Sequence, residues 1–141
     1  MQRDLPERNF TAVGAALLGI GMLPSSAQTP ITQPIVAPQP GTAQYGEYLA
    51  HAMGCADCHG QNFGGLPATG FGPAGPNLTT IVPKFQQADF LNVFRKGIDP
   101  SGRQISEGMP WKNYGNALTD AELADIYSFL HALPPIEMAA K

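Results

Sequence analysis

The sequence predicts an all-α domain of three main helices, with long loops wrapped around one large buried group. Three observations predict it. Three stretches carry apolar residues at helical spacing, and no stretch alternates as a strand does. The chain holds 16 Gly and 14 Pro in 141 residues, too many for an interior made only of packed helices. Both of its cysteines fall in one five-residue motif, Cys55-Ala56-Asp57-Cys58-His59.

The N-terminal element is an apolar run, Phe10 to Leu23, of 14 residues without a charge. Arg3 and Arg8 precede it, with Asp4 and Glu7 diluting their charge, and Ser25 and Ala27 follow it. Residues 1–27 therefore read as an export signal cleaved after Ala27. An uncleaved anchor is the second reading, although the run falls short of the roughly 20 residues that span a bilayer. A buried helix of the domain is the third. Residues 28–41 carry Pro30, Pro34, Pro38 and Pro40, which forbid a helix and favour extended chain, so they form a linker. The folded domain is expected over 42–135, with 136–141 as a tail.

The first main helix is expected from Ala43 to Gly54, with Tyr45, Tyr48, Leu49, Ala52 and Met53 on its apolar face. It leads straight into the cysteine motif. The second is expected from Gln87 to Lys96, with Phe90, Val93 and Phe94 on one side and Gly97 as its stop. The third opens on the capping box Thr119-Asp120-Ala121-Glu122. It carries the stripe Leu123, Ile126, Tyr127 and Leu130, and ends before Pro134. Between the first two lies 60–83, with no usable period. A structureless stretch that long argues against a compact domain unless it wraps a ligand.

The motif says what that ligand is. C-x-x-C-H places two thiols one turn apart and an imidazole directly after. Each thiol can add across a haem vinyl group to form a thioether, which leaves His59 beneath the iron as an axial ligand. One haem c attached through Cys55 and Cys58 also supplies the missing apolar interior. A reactive dithiol would sit in a βαβ setting, which the flanking residues do not form. A zinc site would need two more ligands, and only His51 and His131 remain, far apart in the chain. These two read as surface histidines.

The second axial ligand is expected to be Met109, in Glu107-Gly108-Met109-Pro110-Trp111. Met53 is too close to Cys55 to reach the opposite haem face, Met22 lies in the export signal, and Met138 lies beyond Pro134-Pro135. A thioether ligand favours ferrous iron and raises the potential.

Several segments together resemble class I c-type cytochromes, over about Thr42 to Pro135. They are Gly46-x-x-Leu49, the C-x-x-C-H motif, Gly75-Pro76-Asn77-Leu78, Met109-Pro110 and the final Leu-Thr-Asp-Ala-Glu-Leu helix. Within that class the Gly-Pro-Asn-Leu-Thr run and the Gly-Met-Pro-Trp loop are similar to cytochrome domains serving bacterial dehydrogenases. The resemblance implies the cytochrome c fold, with Gly46 crossing the last helix near Tyr127. It implies that the Pro76 carbonyl accepts the Nδ1 proton of His59 and that Leu78 packs on the haem. It leaves Arg95 either at a haem propionate or in solvent, and Trp111 and Tyr114 either at the haem edge or in the core. One C-x-x-C-H within these residues excludes an internal relay between haems.

An iron with both axial positions filled carries electrons and leaves no site for substrate, so no catalysis is expected from this chain alone. The expected role is single-electron transfer between a periplasmic or membrane-bound donor and an acceptor. A permanent haem subunit of a dehydrogenase or oxidase is the alternative, and a haem sensor with a labile Met109 is a third. The net charge of -3 lacks the basic footprint of a nucleic-acid binder. Lys84, Arg95, Lys96, Arg103 and Lys112 form a candidate basic rim for an acidic redox partner.

Overall fold

The structure is a computed structural model that describes residues 11–22, 36–67 and 74–137. The charged start of the N-terminal segment, the Ala27 cleavage site, most of the linker and Met138 lie outside the described residues. The chain divides into two units, Met1–Ile35 and Val36–Lys141. In the first, helix α1 spans Ala12–Gly19, with the Thr11 hydroxyl accepting from the Gly14 N–H at 3.1 Å. No helix among the described residues is long and apolar enough to cross a membrane.

The second unit is helical. Its elements are α2 (Ala43–Ala52), α3 (Cys55–His59), α4 (Leu78–Ile81), a 3-10 turn (Val82–Lys84), α5 (Gln87–Lys96), α6 (Trp111–Ala117) and α7 (Asp120–His131). Among the described residues the only β pairing is an isolated bridge between Ile98 and Gln104. The three expected helices are α2, α5 and α7. Thr42 caps α2 by accepting from the Tyr45 N–H at 3.2 Å. Both arms of the capping box at Thr119 and Glu122 are made. The Thr119 N–H and hydroxyl hold the Glu122 carboxyl below the usual carboxylate range.

The helix pair α2 and α7 forms the largest helix–helix interface. It differs from the expected apolar face. Gly46, Leu49 and Ala50 are the buried residues of α2, whereas Tyr48 is 46% exposed. The reason is Gly46: its bare Cα seats the backbone of Asp125 and Ile126 directly against α2. The crossing thus falls just before Tyr127, whose hydroxyl instead donates to the Phe85 carbonyl at 2.9 Å. Leu123, Ile126 and Leu130 of α7 are at most 2% exposed, each side chain worth roughly 1.5–3 kcal/mol of burial.

Two short helices, α4 and α6, lie where only loops were expected, and the cysteine motif forms a short helix of its own, α3. Helix α6 packs on α5 through Trp111, whose ring covers Gly97, and through Gly115, which lies against the Phe94 carbonyl. Arg95 ties this corner together. Its guanidinium donates to the carbonyls of Gly115 and Leu118 and to Asp120 Oδ1. Charged hydrogen bonds to carbonyls outweigh the exposed ion pair here. Arg95→Ala is expected to cost about 1–2 kcal/mol in urea unfolding, with little dependence on salt. A loss that disappears in high salt would mean that the Asp120 pair alone matters.

The expected tail is not wholly free. Ile136 donates its N–H to the Thr79 hydroxyl at 2.9 Å and accepts from Asn77 Nδ2 at 2.6 Å. Packing therefore extends one residue past the expected domain end, onto the segment that follows Pro76.

Candidate functional site

Helix α3 is one turn long, and that turn creates the site. It begins after Gly54 in the left-handed region (φ 75) and ends at Gly60 (φ 80). In a helix, residues i, i+3 and i+4 share a face. Cys55, Cys58 and His59 hold those positions, and all three line one cavity of ≈ 480 Å³. Its walls are mainly apolar, including Leu78, Phe85, Phe90, Phe94, Ile105 and Leu130. A cavity of about 300–1,000 Å³ is the size that takes a small molecule or cofactor.

His59 is buried, and its Nδ1 lies 2.8 Å from the Pro76 carbonyl. A carbonyl can only accept, so Nδ1 carries the proton and Nε2 keeps its lone pair. Burial lowers the His59 pKa, against the opposing pull of the Pro76 bond, and this keeps the ring neutral and fit to ligate. Gly75 makes that bond possible. A Cβ there would stand 2.5 Å from the Cys58 carbonyl oxygen and 2.7 Å from His59 Nδ1. Gly75→Ala is expected to displace Pro76 from the ring and to lower haem incorporation several-fold, read as haem absorbance per chain. Unchanged incorporation and spectrum would mean the loop can shift freely.

The loops around α3 are tied to one another. The Gly65 N–H donates to the His59 carbonyl at 2.8 Å, Leu66 to Gly75 at 3.0 Å, and Leu78 to Phe63 at 2.9 Å. Asn77 Oδ1 accepts from the N–H of Thr79 at 3.0 Å and from its hydroxyl at 2.7 Å. Asn77 and Thr79 also hold Ile136, so the segment beside His59 is anchored to the C-terminal end of the domain.

Met109 lines the same cavity. Its N–H donates to the Ser106 carbonyl at 3.0 Å, and its own carbonyl accepts from the Trp111 N–H at 2.7 Å. It is held between that turn and the start of α6. Met53 lines the cavity too, from the C-terminal end of α2.

The other expected residues separate. Pro76, Leu78 and Tyr114 line the cavity; Trp111 does not, and it closes the core against Gly97. Its buried indole N–H has no acceptor among the described residues. Arg95 is also absent from the lining, held at the α6–α7 corner, which removes it as a propionate partner. His51 and His131 are exposed. Of the basic rim, Arg95 pairs with Asp120, Arg103 with Asp99 and Lys112 with Glu107. Only Lys84 and Lys96 lack a carboxylate partner among the described residues, so the rim is a weaker positive field than the sequence suggested. Four polar residues were not singled out as lining: Asp99, Arg103, Gln104 and Ser106. Their nearness to Met109 in the chain was the available signal.

A reactive dithiol needs thiols that ionise easily. Burial instead pushes Cys55 up to about 11. Among the described residues no three His, Cys, Asp or Glu side chains converge to hold a metal ion. What remains is a pair of thiols and one imidazole lone pair facing a mainly apolar cavity.

A family model for cytochrome c matches residues 43–134, nearly the whole of the second unit. The chain belongs to the cytochrome c family. This cytochrome is 34% identical, over 108 residues, to the gluconate 2-dehydrogenase cytochrome c subunit of Pantoea cypripedii. That match covers 68% of this chain and 24% of the relative. It is 31% identical, over 132 residues, to the fructose dehydrogenase cytochrome subunit of Gluconobacter japonicus, covering 85% of this chain and 26% of the relative. The chain thus spans about a quarter of the length of these curated relatives. No solved structure matches it.

The family's group is haem c, and the residues present fit it. The cytochrome offers two thiols for thioether bonds, an imidazole nitrogen with a free lone pair, and a mainly apolar cavity with a few polar residues in its lining. The all-α cytochrome c fold expected from the sequence is the fold observed.

Proposed function

We propose that this cytochrome carries single electrons from a dehydrogenase to a further acceptor. One observation carries the reading: His59 and Met109, about fifty positions apart in the chain, line a single mainly apolar cavity together with both motif cysteines. When bound, haem supplies a reversible ferric/ferrous couple. His59 Nε2 and the Met109 thioether would fill both axial positions, which suits electron transfer and leaves no place for a substrate. Burial of His59 and its bond to Pro76 keep the imidazole in one orientation in both redox states. The chain is an electron carrier in this reading and not itself an enzyme.

The donor is a dehydrogenase of the kind its relatives serve, acting on gluconate or fructose. One substrate oxidation releases two electrons, so two successive one-electron reductions of the chain balance it. Both relatives are named as subunits, which favours a lasting complex with the dehydrogenase over a freely diffusing carrier. The location is the periplasm, with residues 1–27 as export signal or anchor. That placement rests on the apolar run Phe10–Leu23 and on thioether attachment, which in bacteria follows export.

The test is stopped-flow mixing of the oxidised, haem-loaded chain with a gluconate or fructose dehydrogenase and its substrate. Reduction should be complete within seconds, and the chain should co-purify with its own dehydrogenase. A chain that ascorbate reduces but no such dehydrogenase does would overturn the donor assignment. Recovery of the protein only from the cytoplasm would overturn the location.

A further inference from the structure

The charged residues of the cavity lining come from a single short loop. Asp99, Arg103, Gln104 and Ser106 of that loop all line the cavity. Among the described lining residues Arg103 is the only Lys or Arg and Asp99 the only carboxylate. A haem carries two carboxylates on one edge, and burying an anion beside an apolar wall is costly without a cation or hydrogen-bond donors nearby.

Asp99 organises that loop. Its Oδ1 accepts from the Ser101 N–H at 2.9 Å, the Ser101 hydroxyl at 2.6 Å and the Arg103 N–H at 3.0 Å. Its Oδ2 accepts from Arg103 Nε at 2.9 Å. Backbone bonds close the same turn, Asp99 N–H to the Arg103 carbonyl at 3.0 Å and Gly102 N–H to the Asp99 carbonyl at 2.9 Å. The Ile98–Gln104 bridge fastens its base. These donors hold the Asp99 carboxyl down at about 2, so it is ionised throughout the working range. The Arg103 side chain is 77% exposed, whereas that of Asp99 is only 11% exposed. An exposed arginine alone would roam. Here Asp99 fixes its Nε, and the two terminal nitrogens have no protein acceptor among the described residues.

We propose that the 98–106 loop is the carboxylate clamp of this cytochrome, with Arg103 receiving a haem propionate and Asp99 acting as the positioning residue that aims it. The proposal rests on the haem assignment. Its consequence is electrostatic: a guanidinium that neutralises a propionate lessens the stabilisation of the ferric state and so raises the potential.

The test is redox titration of the haem-loaded chain at low ionic strength, with Arg103→Gln, Arg103→Lys and Asp99→Ala beside the parent. Arg103→Gln should shift the ferrous/ferric equilibrium toward ferric by three- to tenfold, the upper limit equal to about 59 mV for one electron. Arg103→Lys should recover most of that shift. Asp99→Ala gives the sharper result. Removing a negative charge would by itself raise the potential, but loss of the aimed Arg103 should lower it. The proposal is overturned by a potential unmoved in Arg103→Gln, or by one that rises in Asp99→Ala. If Asp99→Ala fails to fold, the two Arg103 variants decide alone. A parent chain without thioether-linked haem in its spectrum would overturn the haem assignment itself, a failure distinct from either of these.

Discussion

Met109→Ala is expected to open the haem site and to lower its potential. A thioether ligand stabilises ferrous iron, so its loss shifts the equilibrium toward ferric. The shift should be about a hundredfold or more, which at 59 mV per tenfold is roughly 120 mV. The ferrous variant should bind carbon monoxide at neutral pH, whereas the parent should not. The fold should survive, because the turn at Ser106 and the start of α6 are held by backbone bonds that an alanine keeps. Met53→Ala is the control, since Met53 is the other thioether lining the cavity. If Met53→Ala opens the site and Met109→Ala does not, the axial assignment moves to α2.

The second large effect is on folding. Gly46→Ala places a methyl group into the backbone of α7, at the Asp125 carbonyl and 2.8 Å from the Ile126 nitrogen. Neither group is the end of a flexible side chain, so the helices must separate. Overpacking costs typically 1–3 kcal/mol, and backbone on both sides puts this case at ~3 kcal/mol or more. The same interface buries Leu49, Leu123 and Ile126, so the loss extends beyond one contact. Urea unfolding of the haem-loaded variant should show a midpoint far below that of the parent. An unchanged midpoint would show that α2 and α7 can slide without loss, and the account of this interface would be wrong.

Much of the site was legible because chemistry dictates its spacing. Two thioethers and an axial imidazole need residues at i, i+3 and i+4, and Cys55, Cys58 and His59 stand there whatever surrounds them. Helices α5 and α7 were legible for local reasons too: Phe90, Val93 and Phe94 form a face, and Thr119 with Glu122 closes a cap within four residues. Helix α6 was not. Asn113, Gly115 and Asn116 are weak helix formers, and it stands because Trp111 and Tyr114 find α5 to pack upon. The face of α2 was legible in part. Leu49 is buried as its spacing suggested and Gly46 meets α7 as the resemblance implied, but Tyr48 and Ala52 of the expected apolar face lie in solvent.

Arg95 and Arg103 mark the same limit from the side of charge. They stand eight positions apart, and in sequence both were candidate cations near the haem. Tertiary structure sent Arg95 to the carbonyls of Gly115 and Leu118, and folded Arg103 back onto Asp99 at the cavity. The sequence by itself determined the covalent chemistry, the cofactor and the three main helices, because each depends on residues within a few positions of one another. Only the tertiary structure decided that Tyr48 and Ala52 leave the buried face of α2, that Met53 joins Met109 at the haem cavity, which arginine reaches it, and that Ile136 anchors the segment beside His59. Those outcomes depend on close approach between segments far apart in the chain, and no local pattern encodes that distance.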